Sequence, residues 1–260
     1  MSLDILSDPV TPVALLLGAV VVGLSKGGLA GLGVMAVPVM ALAIPPVQAA
    51  AILLPLLCLS DLIALWSWWG SWSRRVLLQM LPGALGGIGL GWATAALIPE
   101  AAVLLIVGVI ALAFVGRWAW LQRARRADAR PERPRESHPA AAAWGGLAGY
   151  TSFVAHAGGP PFQVYALPLG LDPRILTGTS VAFFAVVNYV KLVPYFALGQ
   201  FDGENLALSA LLAPVAVLFT FVGAWVIRRM RAEVFYPVTY ALTAVVGLKL
   251  AWDGLRGLLG

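Results

Sequence analysis

Apolar runs of about twenty residues or more recur along the whole of this 260-residue chain, and they match a hydrocarbon core about 30 Å thick. Polar breaks divide them into eight, near 12–43, 49–69, 76–98, 101–121, 140–169, 175–197, 206–227 and 234–255. Only 11% of the residues are charged, against about 25% in a soluble domain. A transmembrane barrel would show short alternating segments, which this sequence lacks. The pattern predicts an all-α polytopic membrane protein.

Two of the eight runs are interrupted in the same way. Ser25-Lys26-Gly27-Gly28 breaks the first, and His156-Ala157-Gly158-Gly159-Pro160 breaks the fifth. Lys26 stands twelve residues before Pro38, and His156 twelve before Pro168. Each broken run has about 30 residues, or ~45 Å of helix, which is too long for one ordinary crossing and too short for two. A re-entrant hairpin of two half-helices, turning at the glycines, fits that length.

The runs also pair in order across the chain. Pro46 matches Pro173, Asp61 falls on Asn188 in the same register, Gly91-Trp92 matches Ala224-Trp225, and Glu100 matches Glu233. The expected organisation is a first transmembrane repeat over 1–121, a basic linker over 122–139, and a second repeat over 140–260. Internal duplication is a common transporter device. Basic residues gather at Arg74-Arg75, in the linker and at Arg228, Arg229 and Arg231; acidic ones gather at Asp4 and Asp8, at Glu100, and at Asp202 with Glu204. If both opening runs are hairpins, all the basic spots share the cytoplasmic side. The two repeats then have inverted topology, with both termini outside. Eight simple crossings would leave the 228–231 cluster on the wrong side.

Ionisable groups inside the apolar runs are few: Lys26, Asp61, His156, Lys191 and Lys249. Each costs about 2.5–3.5 kcal/mol in a bilayer even on a lenient scale, so it must face a cavity, pair or snorkel. A half-helix starting just after Lys26 would aim free N–H groups at an anion, with Gly27 and Gly28 allowing close approach. The competing reading gives these glycines to helix packing and lets Lys26 snorkel. His156 holds the matching place beside Gly158 and Gly159. It is a candidate anion donor or titrating group, or else a satisfied structural histidine. Pro160 and Pro161 suit a first helical turn. Asn188 and Lys191, one turn apart, share a helix face, and Asp61 is placed to pair with Lys26 or Lys191 or to carry a coupling proton. Lys249 is expected to snorkel. The candidate substrate site is therefore Lys26, Gly27, Gly28, His156, Gly158, Gly159, Asn188 and Lys191, with Asp61 and His156 as coupling or charge-pairing groups.

Other chemistries find little support. The net charge of +5 is mostly local to the linker, where six arginines meet three acids between Gln122 and Pro139; nucleic-acid binding would need a folded basic face with aromatics. The sequence has no P-loop, no Cys/His metal spacing and no nucleophile elbow, so neither a cofactor nor a metal is expected. Cys58 reads as packing, and the tryptophans, notably Trp66, Trp68, Trp69 and Trp72, read as interfacial anchors. The N-terminus lacks the basic region and cleavage site of a typical signal peptide.

The stretches SKGGLAGLGVMAVP from Ser25, PPVQAAAILLPLLCLSD from Pro45 and TSFVAHAGGPPFQVYALP from Thr151 resemble the TauE/SafE family, also called the toluene-sulfonate uptake permeases. NYVKLVPYFALG from Asn188 and the closing VVGLKLAWDG extend the similarity over nearly the whole chain. The resemblance implies a multi-pass carrier of the bacterial inner membrane for sulfite, sulfoacetate or related organosulfonates. The sequence departs from the family's fuller Gly-x-Gly-Gly-Gly form, with a lysine and a histidine standing beside glycine pairs. The leading expectation is a secondary transporter exporting a small sulfur-containing oxyanion by alternating access. Protons as coupling ion and a homodimer stay open, as do an anion channel, a permease for another small organic anion, a membrane enzyme and a membrane interaction protein.

Overall fold

The computed structural model describes residues 10–29, 32–94, 97–124, 137–197 and 203–259. Most of the 122–139 linker, the N-terminal acids and Asp202 lie outside them. The described residues form ten α-helices: α1 (Val10–Gly27), α2 (Ala36–Met40), α3 (Pro46–Ser67), α4 (Arg74–Thr94), α5 (Glu100–Ala124), α6 (His138–Ala155), α7 (Gly159–Ala166), α8 (Pro173–Ala197), α9 (Gly203–Arg229) and α10 (Ala232–Leu259). Short 3-10 turns at Leu32–Met35 and Leu167–Leu169 lead into α2 and out of α7. The chain is an all-α, multi-pass membrane protein. Seven helices (α1, α3, α4, α5, α8, α9 and α10) are long and apolar enough to cross a bilayer. The eight apolar runs differ from these seven at the fifth, which is split between α6 and α7.

The breaks fall at the glycine motifs for local reasons. At the end of α1 the Leu29 N–H returns to the Leu24 carbonyl and the Gly28 N–H to the Ser25 carbonyl, each at 3.1 Å. That is a helix-ending bond pair with a positive-φ residue after the cap, and Gly28 has φ +131°. At the end of α6 that left-handed residue is His156 itself, at φ 49°. The Ala157 N–H reaches back to the Thr151 carbonyl at 3.0 Å. Prolines then open α7 in its first turn, where a missing N–H costs nothing.

The chain divides into two compact units, each taking helices from both sides of the linker. The first comprises Met1–Trp72 and Thr177–Met230, hence α1, α2, α3, most of α8, and α9. Here α1 lies almost backbone to backbone on α9. A Cβ on Gly23 would come 2.4 Å from the Ala216 carbonyl, and one on Gly27 would come 2.5 Å from that of Thr220. Both pairs advance along the two helices together, so α1 and α9 run parallel. So do α3 and α9: Gln48 meets Asn205, Ser209 donates to the Ile52 carbonyl, and Arg228 donates to the Ser67 carbonyl. The segment between α1 and α3 must therefore carry the chain back. It does so antiparallel to α1, with Gly33 against Ser25 and Met40 against Gly18. A core of Leu15, Val22, Met40, Ile52, Leu56 and Leu212 fills the space among these helices.

The second unit comprises Ser73–Leu176 and Arg231–Gly260. Its centre is the parallel pair α4 and α6, joined through small residues. A Cβ on Gly83, Gly87, Gly145 or Gly149 would come within 2.0–2.2 Å of a backbone carbonyl of the facing helix. Glycines four apart on both helices let the backbones approach, as small-xxx-small faces do in membranes. Helices α5 and α10 pack antiparallel, with Gly108 on Ala251 and Gly254 on Leu105. Tyr240 stacks with both Phe114 and Trp118, at centroid distances of 5.4 and 4.2 Å.

Candidate anion site

The charged side chains buried among the described residues are three: Lys26, Asp61 and Lys191. All three belong to the first unit. Lys26 retains 7% of its surface, the neighbouring Asn188 retains 3%, and Asp61 and Lys191 retain none. Apolar helices exclude water here, so each charge must find its compensation inside the protein.

The compensation is built on Asp61, near the C-terminal third of α3. The Lys26 Nζ stands 2.6 Å from one carboxylate oxygen, Oδ1. The Asn188 Nδ2 donates to the other, Oδ2, at 2.7 Å. Lys191 interacts electrostatically with both Asp61 and Lys26. Phe184 presents its ring 6.0 Å from the Lys26 Nζ, at the outer limit of a cation–π contact. Phe184, Asn188 and Lys191 lie at i, i+4 and i+7 on α8, so one face of that helix supplies all three. Tyr189 fixes α8 to α3 by donating to the Cys58 carbonyl at 3.1 Å.

Lys26 sits in the last turn of α1, beside that helix's carbonyl end. The sequence suggests a half-helix beginning just after it, with N–H groups converging on an anion. After Lys26 the next described helical element is the 3-10 turn Leu32–Met35 that leads into α2, and the helix end at Lys26 favours its positive charge. Gly27 packs on α9 and Gly28 supplies the positive φ. Gly28 also lies against Thr177, whose Cγ2 would stand 2.6 Å from a Cβ placed there. The buried hydroxyls Ser60 Oγ and Thr177 Oγ1 have no hydrogen-bond partner among the described residues.

The remaining sequence candidates, His156, Gly158 and Gly159, belong to the second unit. His156 forms the left-handed end of α6. One turn into α7, Gln163 is buried; its Oε1 accepts from the Thr243 hydroxyl and its Nε2 has no partner among the described residues. Tyr165 on the same helix donates to the Gln79 Oε1 at 3.1 Å. Among the described residues no group of three or more His, Cys, Asp or Glu is placed to hold a metal ion.

A family model described as sulfite exporter TauE/SafE matches residues 15–250. The chain belongs to the TauE/SafE family. The match covers both glycine breaks, the whole buried charge cluster and most of α10, so the family membership extends over both units. TauE/SafE proteins are a transporter family. No curated protein sequence and no solved structure gives a significant match to the chain.

Two residues escape the sequence reading. Trp68 reads as an anchor like its neighbours Trp66 and Trp69, which are 71% and 77% exposed. Trp68 is 1% exposed and donates its indole N–H to the Gly27 carbonyl at 3.1 Å. Arg228 lies over the Trp68 ring, 5.2 Å from its centroid, and bonds the Ser67 carbonyl. Together they close the end of α1 that carries Lys26. The signal available is Trp68's position seven residues after Asp61, on the same side of the helix, but an apolar run offers no way to tell inward from lipid-facing tryptophans. Lys249, expected to snorkel, also pairs with Asp253 one turn along α10.

Proposed function

We propose that this chain is a secondary transporter that exports a small sulfur-containing oxyanion, sulfite or an organosulfonate, across the bacterial inner membrane. The observation that carries the reading is the buried cluster of Lys26, Asp61, Asn188 and Lys191, which sets two lysines and one amide about a single carboxyl group. Asp61 already engages its neighbours as an oxyanion does, taking the Lys26 ammonium on one oxygen and the Asn188 amide on the other. A sulfite or sulfonate oxygen edge suits the same two donors. Lys26, Asn188 and Lys191 are the anion-binding side chains, and Asp61 is their resident charge partner. The hydroxyls of Ser60 and Thr177 are further donors.

The proposal includes two inverted repeats moving by alternating access. Within the first unit, α1 and α3 run parallel, so the opening run of the first half turns back before α3 begins. The same topology in the second half puts Arg74-Arg75, the linker and Arg228–Arg231 on the cytoplasmic side, with both termini in the periplasm. His156, Gly158 and Gly159 mark the matching break in the second unit.

The test is flux in proteoliposomes. Protein reconstituted with internal sulfite or a panel of organosulfonates, with and without a pH gradient, should release them at a protein-dependent rate. Lys26→Ala should lose that flux while keeping its elution profile in detergent. Undiminished flux in the variant would refute the site, and no protein-dependent flux of any sulfur oxyanion would refute the function.

A further inference from the structure

We propose that the anion site is entered from the membrane face that carries Arg228, past Trp68 as its gate, with Arg228 as the first contact of the arriving oxyanion. The proposal rests on the reading of Lys26 and Asn188 as the anion site. It deepens that reading by naming the way in and the residues that control it. Every residue it uses belongs to the first unit.

Burial around the cluster is lopsided. Asp61 lies fifteen residues past the start of α3 and six before its end, or about 22 Å and 9 Å along the helix axis. The longer stretch is filled by Ala49, Ile52, Leu53 and Leu56, packed with Leu15, Val22 and Met40. The shorter one ends in a single buried layer around the glycine break. Trp68, just past α3, donates to the Gly27 carbonyl at 3.1 Å, while Thr177 and Ile227 lie against Gly28. These three side chains come from α3, α8 and α9, and their residues are 1%, 3% and 2% exposed. The residues next to them in the chain, Trp69 and Arg228, are exposed. On this side one layer of side chains separates the end of α1, and Lys26 with it, from the surface. The guanidinium of an exposed Arg228 belongs at a membrane face rather than in hydrocarbon.

What holds this layer shut is sensitive to an anion. The Trp68 ring is kept in place by its bond to Gly27 and by the Arg228 guanidinium, 5.2 Å from its centroid. Arg228 in turn donates to the carbonyl of Ser67, the last residue of α3. A guanidinium binds an oxyanion more strongly than a neutral carbonyl, whether the ion carries one charge or two. An oxyanion arriving at Arg228 therefore draws it off Ser67 and off the ring, and Trp68 is left with its single bond to Gly27. Behind the ring, the buried Thr177 hydroxyl has no hydrogen-bond partner among the described residues. It is the next donor for the passing ion, so that Arg228, Thr177 and Lys26 form a short series from surface to site. Helix capping alone would account for the bonds of Trp68 and Arg228. It would not account for an unsatisfied hydroxyl behind them, since buried polar groups are ordinarily paired.

The test has two arms. Thr177→Cys in a Cys58→Ser background places one thiol behind the gate, and a membrane-impermeant maleimide reads its accessibility in membrane vesicles of either orientation. Arg229→Cys, at an exposed position near the end of α9, identifies the face in question. The thiol at 177 should react from that face, slowly with Trp68 in place and at least tenfold faster with Trp68→Ala. If Trp68→Ala does not fold, Arg228→Gln at its exposed position should raise the rate at least threefold. Reaction from the opposite face, or a rate that the folded variant leaves unchanged, including no reaction at all, would overturn the gate. In proteoliposomes, Arg228→Gln should raise the half-saturating sulfite concentration at least fivefold at low salt and far less at high salt, where the attraction is screened. Arg228→Lys should recover most of the loss. An unchanged or salt-independent value, with only a lowered unfolding temperature, would make Arg228 a helix cap and overturn its role as first contact. A wild-type protein that moves no sulfur oxyanion would overturn the transport reading instead, and the labelling pattern would still report the gate.

Discussion

Lys26 and Asp61 meet at 2.6 Å between the last turn of α1 and the body of α3, both buried away from solvent. Their contact ties the glycine break to the helix that follows it.

Removing one member of this pair should cost more than removing both. Lys26→Met leaves the Asp61 carboxylate with reduced compensation and is expected to destabilise the protein by about 3–5 kcal/mol. The double variant Lys26→Met with Asp61→Leu should recover a large part of that loss. Thermal unfolding in detergent of both singles and the double would show it, and simple additivity would argue that the pair contributes nothing as a pair.

Trp68→Phe keeps a buried ring but removes the donor to the Gly27 carbonyl. The expected loss is about 1 kcal/mol, seen as a lower unfolding temperature. Trp66→Phe, at an exposed position, should change the same measurement little.

The glycine contacts should be intolerant of even one methyl group. Gly87→Ala would place a Cβ 2.0 Å from the Gly146 carbonyl, which forces α4 and α6 apart and is expected to cost about 1–3 kcal/mol. Gly86, one residue away, has open space at its Cβ position. Gly86→Ala should be neutral or mildly stabilising, because alanine is the better helix former. Yield and unfolding temperature of the two variants would separate them.

Thr243→Val would deprive the Gln163 Oε1 of its donor. A buried amide already lacking a partner on its nitrogen among the described residues would then lose this one on its oxygen too. The expected cost is about 1–3 kcal/mol, and Gln163→Leu in the same background should restore much of it. A thermal-stability cycle over the two positions checks both statements.

A reporter active only in the periplasm, fused at the C-terminus, should be active. Activity of a cytoplasmic reporter at that position would overturn the inverted arrangement and, with it, the shared side of the three basic clusters.

Membrane class, helix breaks and charged groups were legible in the sequence because each follows from local chemistry. A twenty-residue apolar run has one stable environment. A glycine pair followed by a return bond ends a helix, and Pro160-Pro161 begins the next. Lys26, Asp61 and Lys191 stood out because an apolar run seldom carries charge. What the tertiary structure decided was who meets whom. Asp61 had two candidate lysines in sequence, and only the crossing of α1, α3 and α8 places Lys26 on one oxygen and Asn188 on the other. The burial of Trp68, the parallel course of α1 and α3, and the membership of His156 in a different unit from Lys26 likewise depend on packing between helices far apart in the chain. A residue's type sets what contact it needs. The arrangement of distant helices sets which contact it obtains.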